Sequence, residues 1–345
     1  MTLQNYHVTR SSNTARVAAV LGAVILITLI TAPWWAGRAD MRLMGEMFLY
    51  LALASLWNLM AGYAGLVSVG QQAFVGFGGY MLFALTMFGG LHPLAAILLA
   101  GVLGALISVP VAVLIFRLRG AYFAIGTWVI AEVFRLGFAQ ISALGGGSGS
   151  SLPVAIVKSL ADKRALRESL SYWLALGAAV LVVTAVYMFL RSRKGLALTA
   201  IRDNELAAGS LGIDIWRTKF TVYVVTSALT AMIGALIFLQ KLRISPDAAF
   251  SVNDWTAFVI FIVVIGGIGT IEGPIIGTLV FFALRETLAD LGTIYLIVLG
   301  LVAIVMMLKA PKGIWGLIRS RFDLQLFSLG YRVIAPDKPE QSKGA

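Results

Sequence analysis

Apolar residues run through this chain in long blocks, separated by short stretches rich in Gly, Pro, Lys and Arg. A helix needs about 20 mainly apolar residues to cross the hydrocarbon core of a bilayer. Such blocks fall at residues 17–34, 43–61, 66–88, 93–116, 121–139, 171–190, 218–239, 255–269, 274–289 and 293–309, and each predicts a helix. The eighth and ninth are short and interrupted by glycine, which suits tilted or partly re-entrant segments. The expected fold class is an all-α polytopic membrane protein with about ten transmembrane helices. Residues 17–309 would form one transmembrane domain, with cytoplasmic tails at 1–16 and 310–345.

Composition strengthens this reading. Hydrophobic residues make up 59% of the chain and charged ones 12%, against roughly a quarter charged in soluble domains. The net charge of +11 points to membrane topology rather than nucleic acid, because the basic residues sit at the ends of apolar blocks. Arg10 and Arg16 precede the first block, and Arg117 and Arg119 follow the fourth. Arg191, Arg193, Lys194, Arg202, Arg217 and Lys219 lie between the sixth and seventh, and Lys309, Lys312, Arg319 and Arg321 follow the last. With ten spans all four groups fall on one side, so the positive-inside rule places both termini in the cytoplasm. The loop 140–170 strains the rule, being assigned outside while carrying Lys158, Lys163, Arg164 and Arg167. The first block ends in Pro33-Trp34-Trp35, an interface anchor that suits an uncleaved helix rather than a secretory leader.

The most polar long stretch between two spans is KGLALTAIRDNELAAGSLGIDIWRTKF, Lys194 to Phe220. Helical spacing puts Leu198, Ile201, Glu205 and Ala208 on one face and turns Arg202 and Asp203 away, with the helix ending near Gly212. Connectors between bundled helices need only about 2–8 residues. An exposed face of small residues around one acid suits the groove of a soluble cytoplasmic partner.

Candidate chemistry is sparse. The chain has no cysteine, and His7 and His92 lack metal-ligand spacing, so no metal site is expected. No GxxxxGK[ST] loop exists, since Gly145 to Gly149 carries no lysine, and HExxH and GxSxG are absent. Glu132 and Arg135 stand three apart and predict a structural ion pair. Glu46 and Glu286 lie near span ends, and no proton relay emerges, so the energy source is expected in another subunit. Gly65, Ser68, Gly70, Gln71, Gln72 and Gly76 open the third block. Close helix packing explains such glycines, whereas polar groups at membrane depth must face protein or a water-filled path. Packing and path lining both remain open for this segment.

Four segments together resemble one family. NLMAGYAGLVSVGQQAFVGFGGY, Asn58 to Tyr80, is similar to the glycine-rich signature of branched-chain amino-acid ABC importer permeases. LRGAYFAIGTWVIAEVFRL with GGGSGSSLP resembles the centre of the LivM-type subunit, and VIGGIGTIEGPIIGTLV and APKGIWGLI resemble its C-terminal part. The polar stretch resembles the family's coupling loop. The resemblance implies that Arg202, Glu205, Ala207, Ala208 and Gly212 face an ATPase subunit, although the acid stands one residue further from the alanines than usual. It implies a second homologous permease, two cytoplasmic ATPases that bind the ATP, a periplasmic binding protein and an inner-membrane location. It implies no cofactor in this chain. The segment Arg243 to Trp255, with loop 140–170, would offer a docking surface for the binding protein. Branched-chain amino acids are the default solute, with urea, short amides or aromatic acids as alternatives. A stand-alone channel or ion-coupled carrier is the competing class, and a membrane enzyme lacks a catalytic constellation.

Overall fold

The computed structural model describes residues 7–9, 13–288, 292, 294–322, 326–327 and 332–334. Arg10 and the expected junction of the ninth and tenth helices at 289–293 lie largely outside them. The architecture is helical, in keeping with a backbone that must satisfy its own hydrogen bonds in lipid. A strand β1 (His7–Thr9) leads into α1 (Asn13–Ile30), a short α2 (Ala32–Trp35) and α3 (Arg38–Asn58), which continues as a π-helical turn over Leu59–Tyr63. Then come α4 (Gln71–Met87), α5 (Pro93–Ile115) and α6 (Ala121–Ala139). Beyond two glycine-rich 3₁₀ turns and β2 (Ser150–Ser151) stand α7 (Val154–Leu160) and α8 (Arg164–Arg191). A polar loop holds α9 (Arg193–Asp203) and α10 (Glu205–Ser210), and α11 (Ile215–Lys241) follows. The chain ends with β3 (Arg243–Ile244), α12 (Pro246–Ala249), a π turn at Asn253–Ala257, α13 (Phe258–Gly266), α14 (Glu272–Thr287), α15 (Ile294–Lys309), α16 (Gly313–Phe322) and β4 (Arg332–Ile334).

Among the described residues, seven helices are long and apolar enough to cross a membrane: Arg38–Tyr63, Pro93–Ile115, Ala121–Ala139, Arg164–Arg191, Ile215–Lys241, Pro246–Gly266 and Ile294–Arg321. The protein is a multi-pass membrane protein. Three further helices are shorter: the apolar Val17–Ile30, α4 with 17 residues and α14 with 16. Two expected boundaries shift. Leu66–Gly70 is not helical, because Gly65 (φ 68°) turns the chain out of the preceding π turn. Much of the segment Arg243–Trp255, expected as an outer loop, is helical, and from Pro246 it joins α13 as one candidate span.

α11 is the centre of the bundle, packed on α3, α4 and α5. In lipid, apolar helices gain nothing by hiding from water, and close van der Waals contact holds them together. The α4–α11 crossing shows how. A side chain at Gly78 would strike the Ala231 carbonyl, and one at Gly234 would strike the Val75 carbonyl, so each helix lays its backbone against the other.

One end of the bundle gathers the basic groups. Phe116 packs on Tyr223 with ring centroids 5.5 Å apart, which brings Arg117 and Arg119 to the end of α11 that carries Arg217 and Lys219. Arg202 and Arg319 both stand near Tyr63 at the same end. There β1 pairs with β4, joining the two tails. At the opposite end Glu168 pairs with Arg38 at 3.3 Å and with Arg164 at 2.9 Å, which offsets part of that loop's positive charge. β2 and β3 pair there, so loop 140–163 and the segment after Arg243 form one surface.

Candidate functional site

The polar loop between α8 and α11 is two helices, not one. Asn204 breaks the helix with an extended backbone (φ −157°, ψ 107°), and its side chain caps α10 by accepting from the Ala207 N–H at 3.0 Å. Asn is a preferred N-cap, so Asp203-Asn204-Glu205 held a helix-start signal that a single amphipathic wheel overlooks. α10 ends in a Schellman turn. The Ile213 N–H donates to the Ala208 carbonyl at 3.2 Å, the Gly212 N–H donates to Gly209 at 3.0 Å, and Gly212 takes φ 81°.

The break changes which face is outward. Leu198, Ile201 and Ala208, expected on an exposed face, are buried against the bundle. Glu205 is half exposed and bonds Lys219 of α11 at 2.9 Å. Ala207 and Gly212 are exposed. The exposed side chains of the loop are instead large and apolar: Leu206 is 85% exposed and Leu211 80%, and Leu196 and Trp216 are exposed as well. Two large leucines, Leu206 on α10 and Leu211 directly after it, are thus exposed on a loop outside the apolar spans.

Arg202 lies on the inner side of the same loop. Its guanidinium sits 5.8 Å from the centre of the Tyr63 ring, and it pairs with exposed Asp203 at 3.0 Å. Below it, Asn58 clamps the loop between α13 and α14. The Asn58 amide donates to the Thr270 carbonyl at 2.7 Å, and its Oδ1 accepts from the Gly269 N–H at 2.8 Å. Glu272 is buried here and accepts from the Phe327 N–H at 3.1 Å. Asn58 and Glu272 were not anticipated as site residues. A lone Asn closing an apolar run was the available signal, since a buried amide requires partners.

Five of the six third-block candidates lie inside the protein, and only Gly65 is exposed. Burial alternates along this non-helical segment: Gly65 and Val67 are exposed while Leu66, Ser68 and Gly70 are buried. The Ser68 carbonyl accepts from Trp57 Nε1 at 2.8 Å, and Thr127 of α6 accepts from the Val69 N–H at 3.0 Å. Gln71 Nε2 donates to the Leu53 carbonyl at 3.0 Å, and the Thr256 hydroxyl donates to Gln72 Oε1. Gly70 and Gly76 make room for the Thr127 backbone and the Phe250 ring. These residues fasten the start of α4 to α3, α6 and the α12–α13 segment. Gln71 Oε1 and Gln72 Nε2 find no partner among the described residues.

At the opposite end Arg135 bonds Glu132 at 2.6 Å and Asp247 of α12 at 2.8 Å. The pair therefore joins α6 to α12 as well as closing on itself. Beneath it Tyr80 stacks on Phe138 (4.6 Å) and Phe250 (6.0 Å). Lys241 stands 4.6 Å over Trp255. Glu46 and Arg285, 2.8 Å apart, tie α3 to α14.

Comparison with known proteins gives the family. Residues 41–308 match the family model described as the permease component of the branched-chain amino acid transport system. The chain is 26% identical over 323 residues to the high-affinity branched-chain amino acid transport system permease protein LivM of Salmonella typhimurium, covering 87% of this chain and 76% of that one. It is 27% identical to LivM of Escherichia coli over the same shares. A nucleoside ABC transporter permease protein, NupC of Lactococcus lactis, is 26% identical over 70% of this chain and 79% of its own. No solved structure matches. The helical membrane fold and the match from Met41 to Leu308 lead to one conclusion: the chain belongs to the branched-chain amino acid transport permease family.

Proposed function

We propose that this chain is a permease subunit of an ABC importer that carries branched-chain amino acids, working beside a second homologous permease. The protein makes no covalent bond with its solute. ATP is held and hydrolysed by two separate cytoplasmic subunits, and a periplasmic binding protein delivers the solute. Ten helices cross the membrane with both termini inside, the three shorter helices completing the set. The observation that carries the reading is the α9–α10 loop, which presents Leu206 and Leu211 to solvent on the basic end of the bundle. An exposed apolar pair outside the membrane-spanning helices suits a protein partner.

The joined surface of β2, β3 and α12 at the opposite end suits the binding protein. The solute class follows the LivM relatives. Transport of a nucleoside, as named for the Lactococcus relative, is the second reading. The test is a mild-detergent pull-down of this chain from its native membranes with mass spectrometry of the recovered proteins. Two Walker-type ATPases and a second glycine-rich permease are expected. A chain that comes down alone and transports without ATP would refute the importer and favour a channel or carrier.

A further inference from the structure

We propose that Arg202 is a positioning residue that transmits movement of the α9–α10 loop to the inner end of the solute path. The inference rests on the reading of that loop as the ATPase contact. Most of the loop's inward residues are apolar: Leu198, Ile201 and Ala208. Such contacts slide and carry little directional force. Arg202 is different. Its planar cation lies over the Tyr63 ring at 5.8 Å, and its Nη1 stands 3.6 Å from the point where a side chain on Gly269 would begin. One side chain therefore touches two elements that lie far apart in sequence.

Both elements are built to move as a unit. Tyr63 ends the π-helical turn Leu59–Tyr63, and π turns are frequent at functional sites. Gly269 takes φ 75° in the loop between α13 and α14. Asn58 bonds both Gly269 and Thr270. A side chain at Gly62 would stand 2.5 Å from the Gly269 nitrogen, so the π turn and the loop lie backbone to backbone. A push on Arg202 is thus delivered to α3, α13 and α14 together. Tyr63 is buried here, with Glu272, Arg202 and Arg319 as its charged neighbours, so it is the ring face that meets Arg202.

The experiment uses the complete transporter, with its partner permease, ATPases and binding protein, in liposomes. Radiolabelled leucine is the probe, and uptake and ATP hydrolysis are measured on the same preparation. Arg202→Ala is expected to lower the leucine moved per ATP hydrolysed roughly tenfold or more, the range of coupling between linked sites, in a complex that still contains both ATPases. Arg202→Lys should recover part of the ratio, keeping the charge over the ring but losing the planar fork that reaches Gly269. Tyr63→Phe should couple normally and Tyr63→Leu should not. The double variant Arg202→Ala/Tyr63→Leu should be no worse than either single one. An unchanged ratio in Arg202→Ala would overturn the proposal, as would loss of the ATPases from that variant, which would make Arg202 a docking residue. A wild-type complex without ATPases would overturn the importer reading itself and shows before any substitution is made.

Discussion

Leu206→Ala should weaken ATPase binding by about 30-fold without harming the fold. Leu206 is 85% exposed in this chain, so truncation removes no internal contact. Exposed substitutions of this kind change stability by about 0.5 kcal/mol or less. In the docked state the side chain would be covered. Three carbons at ~0.8 kcal/mol each, scaled by the 85% now exposed, give about 2 kcal/mol. At 1.4 kcal/mol per tenfold change, that is about 30-fold in affinity. The assay is titration of purified ATPase onto permease held in nanodiscs, with the thermal midpoint of the permease as control. Leu196→Ala, on the flank, should lose less. Binding unchanged by Leu206→Ala would refute the claim that this face is the dock. A fall in thermal midpoint alone would show that the leucine serves the fold.

Three further outcomes follow from the same geometry. Glu205→Lys should reach the membrane yet lose ATPase docking or uptake, because it repels Lys219 and reverses the charge of the dock; normal uptake would remove the acid from the coupling role. Asn58→Ala leaves the Gly269 N–H and Thr270 carbonyl without their partner, at roughly 1–3 kcal/mol for each buried group, and should lower the thermal midpoint and stop uptake together. Gly234→Val places a branched side chain against the Val75 carbonyl and should cost at least the roughly 1–3 kcal/mol of an overpacked core, whereas Gly177→Ala, with open space around it, should be neutral or slightly stabilising in a thermal melt.

The amino-acid sequence by itself determined the class of structure and the order of its elements. Lipid offers the backbone no hydrogen bonds, so long apolar runs such as Pro93–Ile115 and Ile215–Lys241 must be helices whatever surrounds them. Charge placement marked the basic end, and the ordered motifs from Asn58 to Ile318 carried the family resemblance. Local rules extended a little further, to the Gly212 helix end and the spacing of Glu132 and Arg135.

Tertiary structure decided what each polar residue faces. Gln71 and Gln72 sit in a glycine-rich stretch with no amphipathic period, so nothing in the order of residues says whether they look into a path or into the protein; packing of α4 on α3 and the α12–α13 segment put them inside. Asn58 and Gly269 are 211 positions apart, and only the assembled bundle brings them within hydrogen-bond reach. The loop shows the same division. Its length and charge were legible, but the cap at Asn204 rotates α10 against α9, burying Ala208 and exposing Leu206 and Leu211. A helix in lipid has its existence dictated by backbone chemistry, whereas its rotation is set by which neighbours let it approach most closely.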